Sequence, residues 1–148
     1  MLEKNFMNKE SIAQKFDVRN RVALITGASE GIGHDLSLAL SAAGATTIIC
    51  SRNIKKLKNL ELLIKGNGGK AFSYQIDVTQ VNDCRRIMDR TFAQFNGIDC
   101  VIANAGISMW TKFDEVEDPS VFARLMEVNY LGVVHSAYSS MQYLKESR

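Results

Sequence analysis

Three glycines at fixed spacing carry the clearest chemical signal in the chain: Thr26-Gly27-Ala28-Ser29-Glu30-Gly31-Ile32-Gly33. Gly27 lets the backbone turn tightly. Gly31 removes a side chain where a pyrophosphate would approach, and Gly33 lets a following helix pack close to the preceding strand. A helix starting here offers free N–H groups and the positive end of its dipole to phosphate. Ser29, Glu30 and Ile32 complete the candidate cofactor-binding loop. The spacing is G-x3-G-x-G, neither the G-x-G-x-x-G fingerprint nor a Lys-bearing P-loop. A merely tight turn is the plain alternative.

Charge further along speaks to which nucleotide such a loop would take. An acidic residue about 20 positions past the glycines bonds a ribose 2′-hydroxyl and repels a 2′-phosphate. Ser51-Arg52-Asn53 stands there and carries no carboxylate. The planar donors of Arg52 suit a 2′-phosphate, which favours NADP over NAD, although the carboxylate of Glu30 adds nothing to that preference. Three further candidates follow. Asp77-Val78 lies after the third apolar run, Asn104-Ala105-Gly106 after the fourth, and Asn129 inside the last helical stretch. Each has a plain reading: a helix cap for Asp77, a turn for Asn104 and Gly106, a solvent-facing position for Asn129.

The elements that must position these residues are legible from periodicity. Val22–Thr26 is continuously apolar, as a strand buried on both faces should be. A helix with Leu36, Ala39, Leu40 and Ala43 at helical spacing follows, with Gly44 at its C-terminal end. Thr46–Cys50 is a β-branched strand, and Leu57, Leu60 and Ile64 mark a helix closed by the turn over residues 66–69. Ala71–Ile76 is a weaker strand. The next helix runs from a Thr79 cap to Phe95, and Ile98–Ala103 forms the fourth strand. One last helix is expected from Pro119 to about Leu144. Alternation of this kind predicts an α/β fold, a Rossmann-like parallel sheet flanked by helices.

The loop Thr26–Gly33 resembles the T-G-x3-G-x-G cofactor motif of the classical short-chain dehydrogenases/reductases. The resemblance covers about Phe16 to Arg148 and places three more residues in order. It implies that Asp77 lies beside the adenine ring. It also implies that Ala103-Asn104-Ala105-Gly106 corresponds to the family's N-N-A-G, and that Asn129 joins a catalytic proton relay. The implied reaction moves hydride between a nicotinamide cofactor and an alcohol or ketone. A Tyr acts as acid or base, a Lys four residues later lowers its pKa, and a Ser positions the carbonyl. An unperturbed tyrosine has a pKa near 10, so that neighbouring cation is needed near neutrality. Here Tyr74, Tyr130, Tyr138 and Tyr143 are followed four positions on by Val78, Val134, Gln142 and Ser147. The expectation is therefore an incomplete sheet of order 3-2-1-4 with its C-terminal strands missing. Residues 1–15 read as an N-terminal arm and 16–148 as a truncated NAD(P)-binding domain, inactive alone. A non-enzymatic nucleotide-binding or dimerising module is the alternative.

Composition bounds the remaining choices. The 148 residues are 46% hydrophobic and carry a net charge of +2. That is too near neutral for an electrostatic nucleic-acid or membrane binder. Cys50, Cys84 and Cys100 are odd in number, widely spaced and without a CxxC pair, which argues against disulfides or a metal site and suits the cytoplasm. The first 14 residues interrupt every apolar run with charge, unlike a signal peptide. The expected partners are a nucleotide cofactor and, in a complete parent enzyme, a small-molecule substrate. Gly132, Ser136 and Ser140 permit close helix packing, hence a homo-oligomer through the C-terminal helix or packing within the chain.

Overall fold

A computed structural model describes residues 17–147; the arm expected over 1–15 lies outside them. The elements are β1 (Val22–Thr26), α1 (Gly31–Ala42), β2 (Thr46–Ser51), α2 (Ile54–Gly66), β3 (Lys70–Gln75), α3 (Val81–Phe95) and β4 (Cys100–Ile102). After β4 come a short 3-10 turn (Phe113–Glu115), α4 (Ser120–Met126), a π turn (Glu127–Leu131) and α5 (Gly132–Glu146). All strand pairs are parallel, and the sheet order is β3-β2-β1-β4. That is the α/β sheet and the order expected.

Side-chain alternation explains how this sheet is filled from both sides. Successive residues of a strand point to opposite faces. Leu24 and Ile48 join Ile76, Ile87, Met88 and Val128 in a core on the side of α3 and α5. Ile25 and Ile49 join Leu57, Leu60, Ile64 and Ala71 on the side of α2. Every residue of β1 and β2 is buried, which is why these runs lack polar alternation. Each fully buried Leu or Ile contributes on the order of 1.5–3 kcal/mol, so the two inner strands anchor whatever site sits at their ends.

Three details differ from the expectation. β4 is shorter than Ile98–Ala103, because Asp99 supplies a side chain where the ladder would continue. Its Oδ2 accepts the Val22 N–H at 2.7 Å while its own N–H donates to the Val22 carbonyl at 3.0 Å. Ile98 is nonetheless fully buried. Thr79 does not cap α3; its N–H and hydroxyl both donate to Asp77 Oδ1, at 3.0 and 2.9 Å, and the cap position falls on Gln80. The single last helix is broken by the π turn that carries Asn129.

Finally, Gly132, Ser136 and Ser140 face inward. A Cβ on Gly132 would stand 2.8 Å from Val78 Cγ2, and both serines are buried. The small-residue stripe therefore serves packing within the chain, and a partner surface on this helix must use its other face.

Candidate functional site

The C-terminal ends of β1, β2 and β4 open into one cleft of about 750 Å³. Its walls bring together Gly27, Ser29, Glu30 and Ile32 of the glycine loop, Ser51, Arg52 and Asn53 after β2, Asp77 and Val78 after β3, and Asn104, Ala105 and Gly106 after β4. The other two glycines of the loop are not part of that lining. A Cβ on Gly33 would come within 2.5 Å of Asn104 Nδ2 and 2.6 Å of the Gly27 carbonyl oxygen, so nothing larger fits there. Gly31 has φ +60° and open space where a Cβ would be, the free approach that a phosphate needs.

Hydrogen bonds lock the loop to the sheet. Asn104 Nδ2 donates to the carbonyls of Thr26 at 3.1 Å and Gly27 at 3.3 Å. Thr26 Oγ1 accepts the Ala105 N–H at 3.1 Å. Glu30 occupies the N-cap of α1 in extended conformation without a side-chain capping bond. The first N–H groups of α1 are thus left for a ligand or water. An uncapped helix start, an open glycine and a cleft at the strand ends fit a dinucleotide pyrophosphate.

At the far end of the cleft Asn53 has a structural task. Its Oδ1 accepts the Lys56 N–H at 3.1 Å and caps α2, while Ser51 Oγ accepts the Asn53 N–H at 3.1 Å. Arg52 is exposed and forms no ion pair among the described residues. Asp77 does not cap α3; its Oδ1 closes a local turn by accepting from Thr79, and the residue keeps its place in the wall.

Asn129 does not line the cleft. Its Oδ1 accepts the Ile107 N–H and its Nδ2 donates to the Ile107 carbonyl, both at 2.8 Å. The side chain pins the segment after Asn104 to the π turn. Sequence reasoning missed Lys55, Ile54 and Ile107 in the wall and Lys56 beside it. The run Arg52-Asn53-Ile54-Lys55-Lys56 was the available signal, a cluster of cations at a strand end.

The thiols offer no competing chemistry. All three cysteines are free, and burial pushes the thiols of Cys50, Cys84 and Cys100 up, away from the reactive thiolate. Among the described residues no group of three or more His, Cys, Asp or Glu could hold a metal ion, and no helix is long and apolar enough to cross a membrane.

Comparison with known proteins agrees with this geometry. The family profile described as short chain dehydrogenase matches residues 21–148. The 11-beta-hydroxysteroid dehydrogenase A of Sesamum indicum is 32% identical over 133 residues, covering 89% of this chain and 38% of that protein. A short-chain type dehydrogenase/reductase from Mycobacterium marinum superposes with a TM-score of 0.83 at 33% identity, covering 89% of this chain and 53% of that one. A gluconate 5-dehydrogenase from Burkholderia cenocepacia, solved with NADP and tartrate, gives 0.80 at 32% identity, covering 88% and 51%. The chain thus spans 38% of that curated relative's length and about half of each solved structure. With the glycine loop, the strand order and the locked segment after β4 all in place, the chain belongs to the classical short-chain dehydrogenase/reductase family of oxidoreductases.

Proposed function

We propose that these residues form the cofactor-binding portion of an NADP-dependent oxidoreductase that moves hydride between nicotinamide and an alcohol or ketone. One observation carries the cofactor reading. Arg52 and Lys55 line the cleft at the end of β2, and residues 51–53 include no carboxylate to hold a ribose 2′-hydroxyl. The NADP bound by the Burkholderia cenocepacia relative supports the same preference. When bound, the nicotinamide ring supplies or accepts the hydride. The residues of this chain hold the pyrophosphate at the start of α1, place Asp77 beside the adenine, and fix the segment 104–107 along the cleft. Asn129 takes part in the proton relay through the segment it positions. Since no tyrosine in the sequence has a lysine four positions later, the chain alone binds nucleotide without turnover. The free thiols suit a cytoplasmic setting.

Titration with NADPH and NADH, followed by nicotinamide fluorescence, tests this. The expected result is tighter binding of NADPH and a loss of about tenfold or more for NADPH alone in Arg52→Ala, since one charge-assisted phosphate contact goes. Tighter NADH binding by the unaltered chain overturns the NADP assignment, and carbonyl reduction by the chain alone overturns the inactive-portion reading.

A further inference from the structure

The glycine loop contains one residue that opposes a phosphorylated cofactor. Glu30 lines the same cleft as Arg52 and Lys55. A bare carboxylate at that mouth would repel a 2′-phosphate, and like charges facing each other at a binding site select against a ligand. Glu30 is not bare. Lys56 Nζ donates to Glu30 Oε2 at 2.5 Å, joining the loop before α1 to the first turn of α2. Local structure fixes the origin of that lysine, because its own N–H is the donor that Asn53 caps, at 3.1 Å. The bond from Lys56 holds the Glu30 carboxyl below the usual range, so the glutamate stays ionised and the pair stays matched. Both side chains are half or more exposed, at 51% and 73%. An exposed ion pair adds little to stability, so its place at the cleft matters more than its strength.

We infer that Lys56 is a cofactor-specificity residue that acts through Glu30. By holding the carboxylate in an ion pair, it cancels the repulsion toward a 2′-phosphate and leaves Arg52 and Lys55 as the uncompensated charge at the mouth. Lys56 need not touch the phosphate. It makes a glutamate in the glycine loop compatible with a phosphorylated ribose, and the compensation comes from the next helix rather than from the loop itself. The inference rests on the NADP reading above, and its test separates the two.

The experiment compares NADPH and NADH affinities of the unaltered protein, Lys56→Met, Lys56→Arg, Glu30→Gln and the Glu30→Gln/Lys56→Met double variant, at low salt. Lys56→Met should lower the NADPH-to-NADH affinity ratio by about five- to tenfold, the scale of one surface charge near a dianion. NADH binding should hold, Lys56→Arg should keep the ratio, and Glu30→Gln should restore it in the double variant. An unchanged ratio in Lys56→Met overturns the inference. So does a double variant as weak toward NADPH as Lys56→Met, which would mean direct contact with the phosphate. A loss of folded protein lowers both affinities together and leaves the ratio alone. The ratio in the unaltered protein reads the NADP assignment, and its change on substitution reads the role of Lys56. A protein that prefers NADH but whose ratio still falls in Lys56→Met and recovers in the double variant refutes the first and upholds the second.

Discussion

Gly31 and Gly33 stand two positions apart and are glycine for different physical reasons, which substitution by alanine separates. At Gly33 a methyl group meets the Gly27 carbonyl oxygen at 2.6 Å and Asn104 Nδ2 at 2.5 Å. The first is backbone and cannot step aside, and the second holds the loop to β1. Gly33→Ala should therefore lower the melting temperature clearly and weaken NADPH binding with it. At Gly31 the methyl meets nothing within 4 Å, but φ is +60°, a left-handed conformation that costs an L-residue about 1–2 kcal/mol. Gly31→Ala should melt several degrees earlier, less than Gly33→Ala, and yet lose at least tenfold in NADPH affinity, because the new group takes up open space at the helix start proposed to receive the phosphate. Thermal melts and cofactor titration of both variants check this. Equal losses of stability and binding in the two would sink the distinction. The glycine roles were legible in the sequence because spacing alone fixes them. The pairing of Glu30 with Lys56 was not, because it joins residues 26 positions apart.

Between elements, α2 is tied to β3 by a carboxylate. Glu61 accepts hydrogen bonds from Lys65 at 2.6 Å and Lys58 at 2.9 Å on its own helix, and from the Ser73 hydroxyl and N–H on β3. Burial pushes its carboxyl up, but the bonds from Lys65, Ser73 and Lys58 outweigh burial and hold its pKa at about 2. An unfolded glutamate titrates near 4.3. The folded value is the lower, so the stabilisation is complete above about pH 4.3 and is lost as pH falls toward 2. Glu61→Gln should melt earlier than the unaltered protein at pH 7, and the gap should close on acidification through that window. Melting curves from pH 7 to pH 2 measure it, and a gap that stays constant would exclude the assigned role. This tie explains what the sequence concealed at the element scale. β3 and α2 were legible from their apolar residues, while Glu61 in a helix looks like any solvent-facing acid. For the same reason the apolar run overstates the length of β4, since Asp99 takes over a backbone role by its side chain. The π turn was missed because the partner of Asn129, Ile107, lies 22 residues earlier.

At the scale of the whole molecule, one surface is apolar without being a pocket. Tyr130 of the π turn and Val134, Tyr138 and Met141 of α5 are exposed by 57%, 42%, 67% and 51%, and their spacing aligns them along one side of this helical segment. None lines the cofactor cleft. The face opposite them is already filled by α3 and Val78, so an association through this helix must use the aromatic side. Among the described residues β4 pairs only with β1, which leaves one strand edge open beside it. A net charge of +2 gives little repulsion between copies. A row of large apolar side chains of this kind is a candidate surface for association. The 148-residue chain should therefore elute above its 16.5 kDa monomer mass, increasingly so with concentration. Tyr138→Glu should shift it toward the monomer while NADPH affinity stays the same, because the substitution lies away from the cleft. A monomer at every concentration, unfolding in one cooperative transition, would mean that the exposed row is tolerated by the solvent and drives no association.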